Sequence, residues 1–242
     1  MNTPNAISQA TYNDFVMGLF ARNPGDLSKD FAHAAMGFHT EAVYELPEAV
    51  ESGKPNEILA ELGDALFFHT AAVHVLVEYL EALCDDPADH PAMRLYIEDV
   101  KACLAVDRLA DRAAAMPVLN VRLSPEQGEL AAALGDGQEA PVAPVAHLDV
   151  AKAWVGYGKA PDLAKVGLVM SALDNDLASG IFLAAAALNL TMAEALQAAL
   201  RGNIAKLQDR YPGGFDPDRR DNIDHGSEME AVGAAASQHG AV

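Results

Sequence analysis

The chain has 242 residues, with 35 acidic side chains against 16 basic ones and a formal net charge of −19. About half the residues are apolar (51%), enough for a sizeable core, which excludes wholesale disorder. The acid excess excludes a general binder of nucleic-acid backbone or of anionic membranes, since both need clustered Lys and Arg. It leaves room for a small anionic substrate accompanied by a metal ion.

Alanine and leucine dominate and β-branched alternation is nearly absent, so the expected fold class is all-α. A first helix is expected over roughly 8–22, closed by Asn23-Pro24-Gly25. A second runs from about Leu27 to Glu51, where Ser52-Gly53-Lys54-Pro55 stops one helix and starts another. A third covers Pro55 to Leu83 and a fourth about 91–115. Ser124-Pro125 with Gln127 resembles a capping box, and Gly135–Pro144 reads as a linker. Helices then resume at about 147–157, 161–188 and 191–210, and the polar tail after Tyr211-Pro212-Gly213-Gly214 is expected to fray. Two cysteines, Cys84 and Cys103, with no basic-then-apolar leader at the N-terminus, read as reduced thiols of a cytoplasmic protein. No apolar run is long enough to suggest a membrane span.

The charges are segregated. Between Asp30 and Met93 stand thirteen acids and one basic residue, Lys54; between Arg201 and Arg220 stand five basic residues and three acids. Glu41, Glu45 and Glu48 lie at i, i+4, i+7, on one face of a helix, and Glu57, Glu61 and Asp64 repeat that spacing on the next. A short turn joins these helices, so they should pack antiparallel. Apolar residues flank the acids, which would put some carboxylates at the seam, where a hard cation such as Mg²⁺ relieves their repulsion. The alternative is a pair of solvated acidic faces. Asn203, Lys206 and Arg210 form one polar helical face that could take phosphate oxygens, or simply complement the helix dipole.

Taken in order, His33-Ala34-Ala35-Met36-Gly37-Phe38, Glu41…Glu45-Leu46, Gly53-Lys54, Glu61-Leu62-Gly63-Asp64 and NIAKLQDRYPGGF with Arg220-Asp221 resemble the MazG-like all-α NTP pyrophosphohydrolases. The resemblance implies a helical bundle in which Glu41, Glu45, Glu61 and Asp64 are catalytic and bind Mg²⁺ or Mn²⁺. It implies a nucleoside triphosphate substrate, split to the monophosphate and pyrophosphate, and a homo-oligomer, a dimer. Asn203, Lys206 and Arg210 would then neutralise the leaving phosphates, with Lys54 assisting and Tyr211 available to the base. Phe38 and Trp154 are stacking candidates whose alternative is core packing.

The spacing departs from the family's i, i+3 acidic pair. Glu41 and Glu45 are one residue further apart, on a plain α-helix or across a π-bulge that absorbs the extra residue. A shift to Glu45 and Glu48 would restore the spacing but enclose Pro47, so Glu48 stays as a spare ligand. The chain also exceeds the family's compact core. Glu126…Glu129 and Trp154-Val155-Gly156-Tyr157-Gly158-Lys159 resemble parts of a second copy, whose Glu-x-x-Asp helix would be Leu168–Phe182 and has lost the motif. The expected division is a first repeat with the metal acids (1–116), a degenerate second repeat that packs on it and supplies the basic helix (117–212), and a tail (213–242).

Other signals are weaker. Asp174-Asn175-Asp176 begins like a calcium loop but lacks its glycine and its final Glu. The histidines have no zinc spacing, and His69 on an apolar helix reads as a core residue. Two other functions remain open: the related dimeric all-α dUTPase, and a non-catalytic helical module that binds nucleotides or partners.

Overall fold

The structure, a computed structural model, describes residues 9–83, 91–115, 146–213 and 225–237. Among these every regular element is helical: α1 (Gln9–Leu19), α2 (Leu27–Thr40), a π turn (Glu41–Glu45), α3 (Leu46–Ser52), α4 (Pro55–Ala82), α5 (Pro91–Ala102), α6 (Val106–Ala115), α7 (Ala146–Tyr157), α8 (Leu163–Leu188), α9 (Met192–Arg210) and α10 (His225–Ser237). The fold class is all-α. The expected capping box at Ser124, the linker at 135–144, and Glu126, Glu129 and Cys84 lie outside the described residues.

Local chemistry sets the boundaries. The Asp26 carboxylate accepts from the Lys29 backbone N–H at the start of α2, and Thr191 with Glu194 forms a reciprocal capping box at the start of α9. Gly53 and Gly158, with φ of 67° and 64°, end α3 and α7 in the left-handed conformation that costs glycine least.

α4 lies at the centre. α2 packs against it, and His33 meets Phe68, Phe38 meets His69 and Glu41 reaches Glu61 and Asp64. His33 and Phe38 face residues 68 and 69, whereas Glu41, just past the end of α2, faces residues 61 and 64 nearer the start of α4, so the two helices are antiparallel, as the short turn requires. α8 and α9 pack on α4 from other sides, α7 covers α2 and α8, and α6 lies against α8 and α9. One hydrophobic core runs from Tyr12 to Ala236. By length and composition α4 and α8 could each cross a membrane, yet 72% and 61% of their apolar windows are buried in the protein, as in the core helices of a bundle.

Three expectations need correction. The helix expected over 27–51 is interrupted at Glu41–Glu45, where the Leu46 N–H bonds the Glu41 carbonyl five residues back. Pro47 follows directly; it has no N–H for the Val43 carbonyl and its ring crowds that group, so a widened turn before it is the economical solution. The helix expected over 91–115 is divided at Cys103–Ala105 by three successive i→i+3 bonds, a tightening that turns Cys103 and Leu104 into the core. The tail does not fray throughout. Residues 225–237 form α10, which buries Val232 and Ala236 and accepts an Asn56 side-chain hydrogen bond at the Met229 carbonyl.

Some short stretches of the sequence recur. Gly53-Lys54 and Gly158-Lys159 stand 105 residues apart, each followed by a long helix, α4 of 28 residues and α8 of 26. His69 on α4 and Asp174 on α8 share that 105-residue separation and hydrogen-bond to each other. Arg108-Leu109-Ala110-Asp111-Arg112 on α6 resembles Lys206-Leu207-Gln208-Asp209-Arg210 on α9, with both leucines buried.

Candidate functional site

The π turn and α4 bring Glu41, Glu61 and Asp64 together. One carboxylate oxygen from each lies within 4.8 Å of the others, and all three side chains are half-buried. Three carboxylates this close, partly removed from water, repel one another. Burial first, then the charges of Asp64 and Glu61, push the Glu41 carboxyl up to about 8. Burial and Asp64 also raise Glu61, while Lys206 and a hydrogen bond with Glu41 draw it back.

α9 supplies the opposite charge. Asn203 Nδ2 donates to Asp64 Oδ1 at 2.8 Å, and Lys206 Nζ donates to Asp64 Oδ2. Burial disfavours the Lys206 ammonium, but the charge and hydrogen bond of Asp64, followed by Glu61, outweigh it and raise its pKa. The approach of α9 depends on Gly63: a Cβ there would stand 2.8 Å from the Asn203 Cβ and 3.1 Å from the Ala199 carbonyl oxygen. Tyr12 completes the arrangement, its hydroxyl donating to Asn203 Oδ1 at 3.1 Å.

The remaining sequence candidates are distributed unevenly. Glu45 is exposed at the end of the π turn and acts on Glu61 through its charge. Glu48 is exposed on α3, outside the three-carboxylate cluster. Lys54 is exposed at the start of α4 and pairs with Glu57 at 2.7 Å. Arg210 donates to Glu228 of α10 from Nε to Oε1 and from Nη2 to Oε2, the latter at 2.8 Å, while its charge also reaches Asp64. Tyr211 is buried beside it at the end of α9. Phe38 and Trp154 are core residues: Phe38 packs between His69 and His147, and Trp154 between Phe31 and Tyr79. His69 is likewise buried in the core.

Sequence reading missed two participants. Glu228 lies in the segment expected to fray, and Tyr12 lies on a helix with no motif around it. A second polar cluster was also missed. Asp174 is buried and accepts from His69 Nε2 and Arg112 Nη1, each at 3.1 Å, and Arg112 Nη2 donates to Asn175 Oδ1 at 2.8 Å. It ties α4, α6 and α8 together.

The donor set suits a hard divalent cation: oxygen ligands only, held close, with one carboxyl kept protonated by burial and by its neighbours' charges. The sign of the pH dependence follows. The folded Glu41 carboxyl lies above its ordinary 4.5, so its contribution to stability is complete below that value and is lost as pH rises through about 8. Metal-free protein should therefore melt lower at pH 9 than at pH 6, and millimolar Mg²⁺ should reduce that fall. Glu41→Gln should lack this part of the pH dependence in scanning calorimetry.

The chain matches no family model, and no curated protein or solved structure matches it significantly. The resemblance drawn above therefore stands on its motifs and on where they lie in space.

Proposed function

We propose that the protein is a Mg²⁺-dependent nucleoside triphosphate pyrophosphohydrolase of the MazG-like kind, releasing pyrophosphate and the monophosphate from an NTP or dNTP. One observation carries this reading: Glu41, Glu61 and Asp64 converge, and Asn203 and Lys206, 139 and 142 residues beyond Asp64, close on the same carboxylate. In sequence the acidic and basic motifs are far apart; in space Asn203 and Lys206 lie against the carboxylate cluster, which supports this reading.

Glu41, Glu61 and Asp64 would hold Mg²⁺ or Mn²⁺, with Glu45 as the fourth acid. A bound divalent cation would supply Lewis-acid polarisation of a phosphate and activation of water. Glu41, protonated at neutral pH in the metal-free cluster, would give up that proton as the cation binds, because the cation's charge favours the carboxylate. Lys206 and Asn203 orient Asp64, and the Lys206 ammonium would meet the oxygens of the polyphosphate. Arg210 could join them once released from Glu228.

The two halves read as a tandem fusion. At the 105-residue offset the counterparts of Glu61 and Asp64 are Val166 and Val169, both buried, so the second half would have no acid site and would serve by supplying α9. A fusion of this kind takes over a role that a partner subunit fills in a homodimer. Cys103, a buried free thiol, is compatible with a cytoplasmic setting.

The test is pyrophosphate release from each common NTP and dNTP, with and without Mg²⁺. Metal-dependent release of pyrophosphate and monophosphate is expected. Turnover of dUTP alone would favour the dUTPase, and no release from any nucleotide would favour a non-catalytic module. The last has one observation behind it: both cations of the basic face, Lys206 and Arg210, are already engaged by carboxylates.

A further inference from the structure

The Asn203 side chain can stand in either of two orientations that differ by exchange of its oxygen and nitrogen, and its neighbours select one. Asp64 Oδ1 lies 2.8 Å from Nδ2, and a charged carboxylate accepts only. Exchanged, the amide oxygen would face that carboxylate, acceptor against acceptor. On the other side stands the Tyr12 hydroxyl, 3.1 Å from Oδ1. Its other acceptor, the Gly63 carbonyl, is at 3.5 Å, so Asn203 takes the stronger bond. Tyr12 is fully buried.

The result is a relay. Tyr12 donates to Asn203, and Asn203 donates to Asp64 Oδ1 while Lys206 holds Oδ2. Both oxygens of the carboxylate are fixed, and the carboxylate plane with them. Tyr12 stands on α1, outside the segments that carry the family resemblance.

We propose that Tyr12 is a positioning residue for the carboxylate cluster, its buried hydroxyl anchoring the oxygen end of the Asn203 amide whose nitrogen donates to Asp64. Its effect on cation binding rests on the proposed metal role of that cluster; its effect on Asn203 does not. Outer groups that orient metal ligands typically contribute 10–100-fold in affinity, and Tyr12 acts one bond further out, so about 3–10-fold is expected.

Tyr12→Phe removes the hydroxyl and keeps the ring. In wild-type protein the two Asn203 Nδ2 protons should give separate NMR signals that exchange slowly with solvent; in Tyr12→Phe their exchange should quicken by about tenfold, the loss of roughly 1.4 kcal/mol of protection. Calorimetric titration with Mn²⁺ alone should give affinity about 3–10-fold weaker in Tyr12→Phe. Asn203→Leu should weaken Mn²⁺ binding as well, and adding Tyr12→Phe to it should change nothing more, because the two act in series. Unchanged Asn203 signals in folded Tyr12→Phe would overturn the proposal. So would a single fast-exchanging pair in wild type, a result that needs no variant. Altered Asn203 signals together with no Mn²⁺ binding by wild type would uphold the positioning role and overturn the metal reading.

Discussion

Glu61→Gln is expected to abolish Mg²⁺-dependent pyrophosphate release and, at the same time, to raise the melting temperature of the metal-free protein. The two effects have one cause. Glu61 is half-buried beside Asp64 and Glu41, and both its burial and the Asp64 charge work against its ionisation. Glutamine keeps the shape and an acceptor oxygen for Glu41 while removing a charge from the crowded group. Relief worth about 1 kcal/mol would lift the melting temperature by about 2–4 °C in a chain of this size. Removing a ligand should weaken cation affinity by more than the 10–100-fold typical of an outer group. Acids on a merely solvated face would behave differently, since their substitution usually moves stability within about 0.5 kcal/mol and binds no cation to lose. Retained turnover would overturn the metal assignment, and a lower melting temperature would overturn the repulsion. Asp64→Asn is the less discriminating variant. It also strips the counter-charge from Lys206, which is almost fully buried, and breaking such a pair costs about 3–5 kcal/mol by itself.

Helical class and element order were legible because periodicity and caps are local. Leu27, Pro55 and Met192 begin helices for reasons written within a few residues of them: Asp26, the Gly53-Lys54-Pro55 punctuation, and Thr191 with Glu194. The one-residue excess between Glu41 and Glu45 pointed to the backbone itself, and of the two arrangements it allowed the chain has the π turn. The position of Glu228 was not legible, because a segment rich in small residues forms a helix only when a neighbour covers it; here α9 and α4 do so. Tyr12 gave no signal, since its role depends on an asparagine 191 residues away. Asp174 was read only as the opening of a calcium loop, a local motif, and its partners lie 105 and 62 residues away on other helices. The likeness of Arg108–Arg112 to Lys206–Arg210 was in the sequence.

Asp174→Ala should be the most damaging single change away from the carboxylate cluster. Asp174 and His69 are both buried, and their bond at 3.1 Å joins the two longest helices, α4 and α8. Alanine leaves His69 Nε2 without its acceptor, opens space in a close-packed core, and frees Arg112, which is partly exposed and can turn to water. Most of the cost therefore falls on His69 and the void, about 3–5 kcal/mol, a melting temperature lower by about 6–20 °C. The pH dependence has a defined sign. Burial works against the Asp174 carboxylate, but the hydrogen bond and charge of His69 and the charge of Arg112 outweigh it and hold its pKa below the ordinary 3.8. Its charge-dependent stabilisation is present above 3.8 and is lost as pH falls through the lower folded value, so the gap between wild type and Asp174→Ala should narrow in strong acid while the cost of the void remains. The gap should change little between low and high salt, because buried pairs are weakly screened. Mn²⁺ binding at Glu41, Glu61 and Asp64 should survive wherever the variant is folded, since Asp174 holds the helices and not the cation. A melting shift below about 2 °C would mean that apolar packing alone joins α4 to α8.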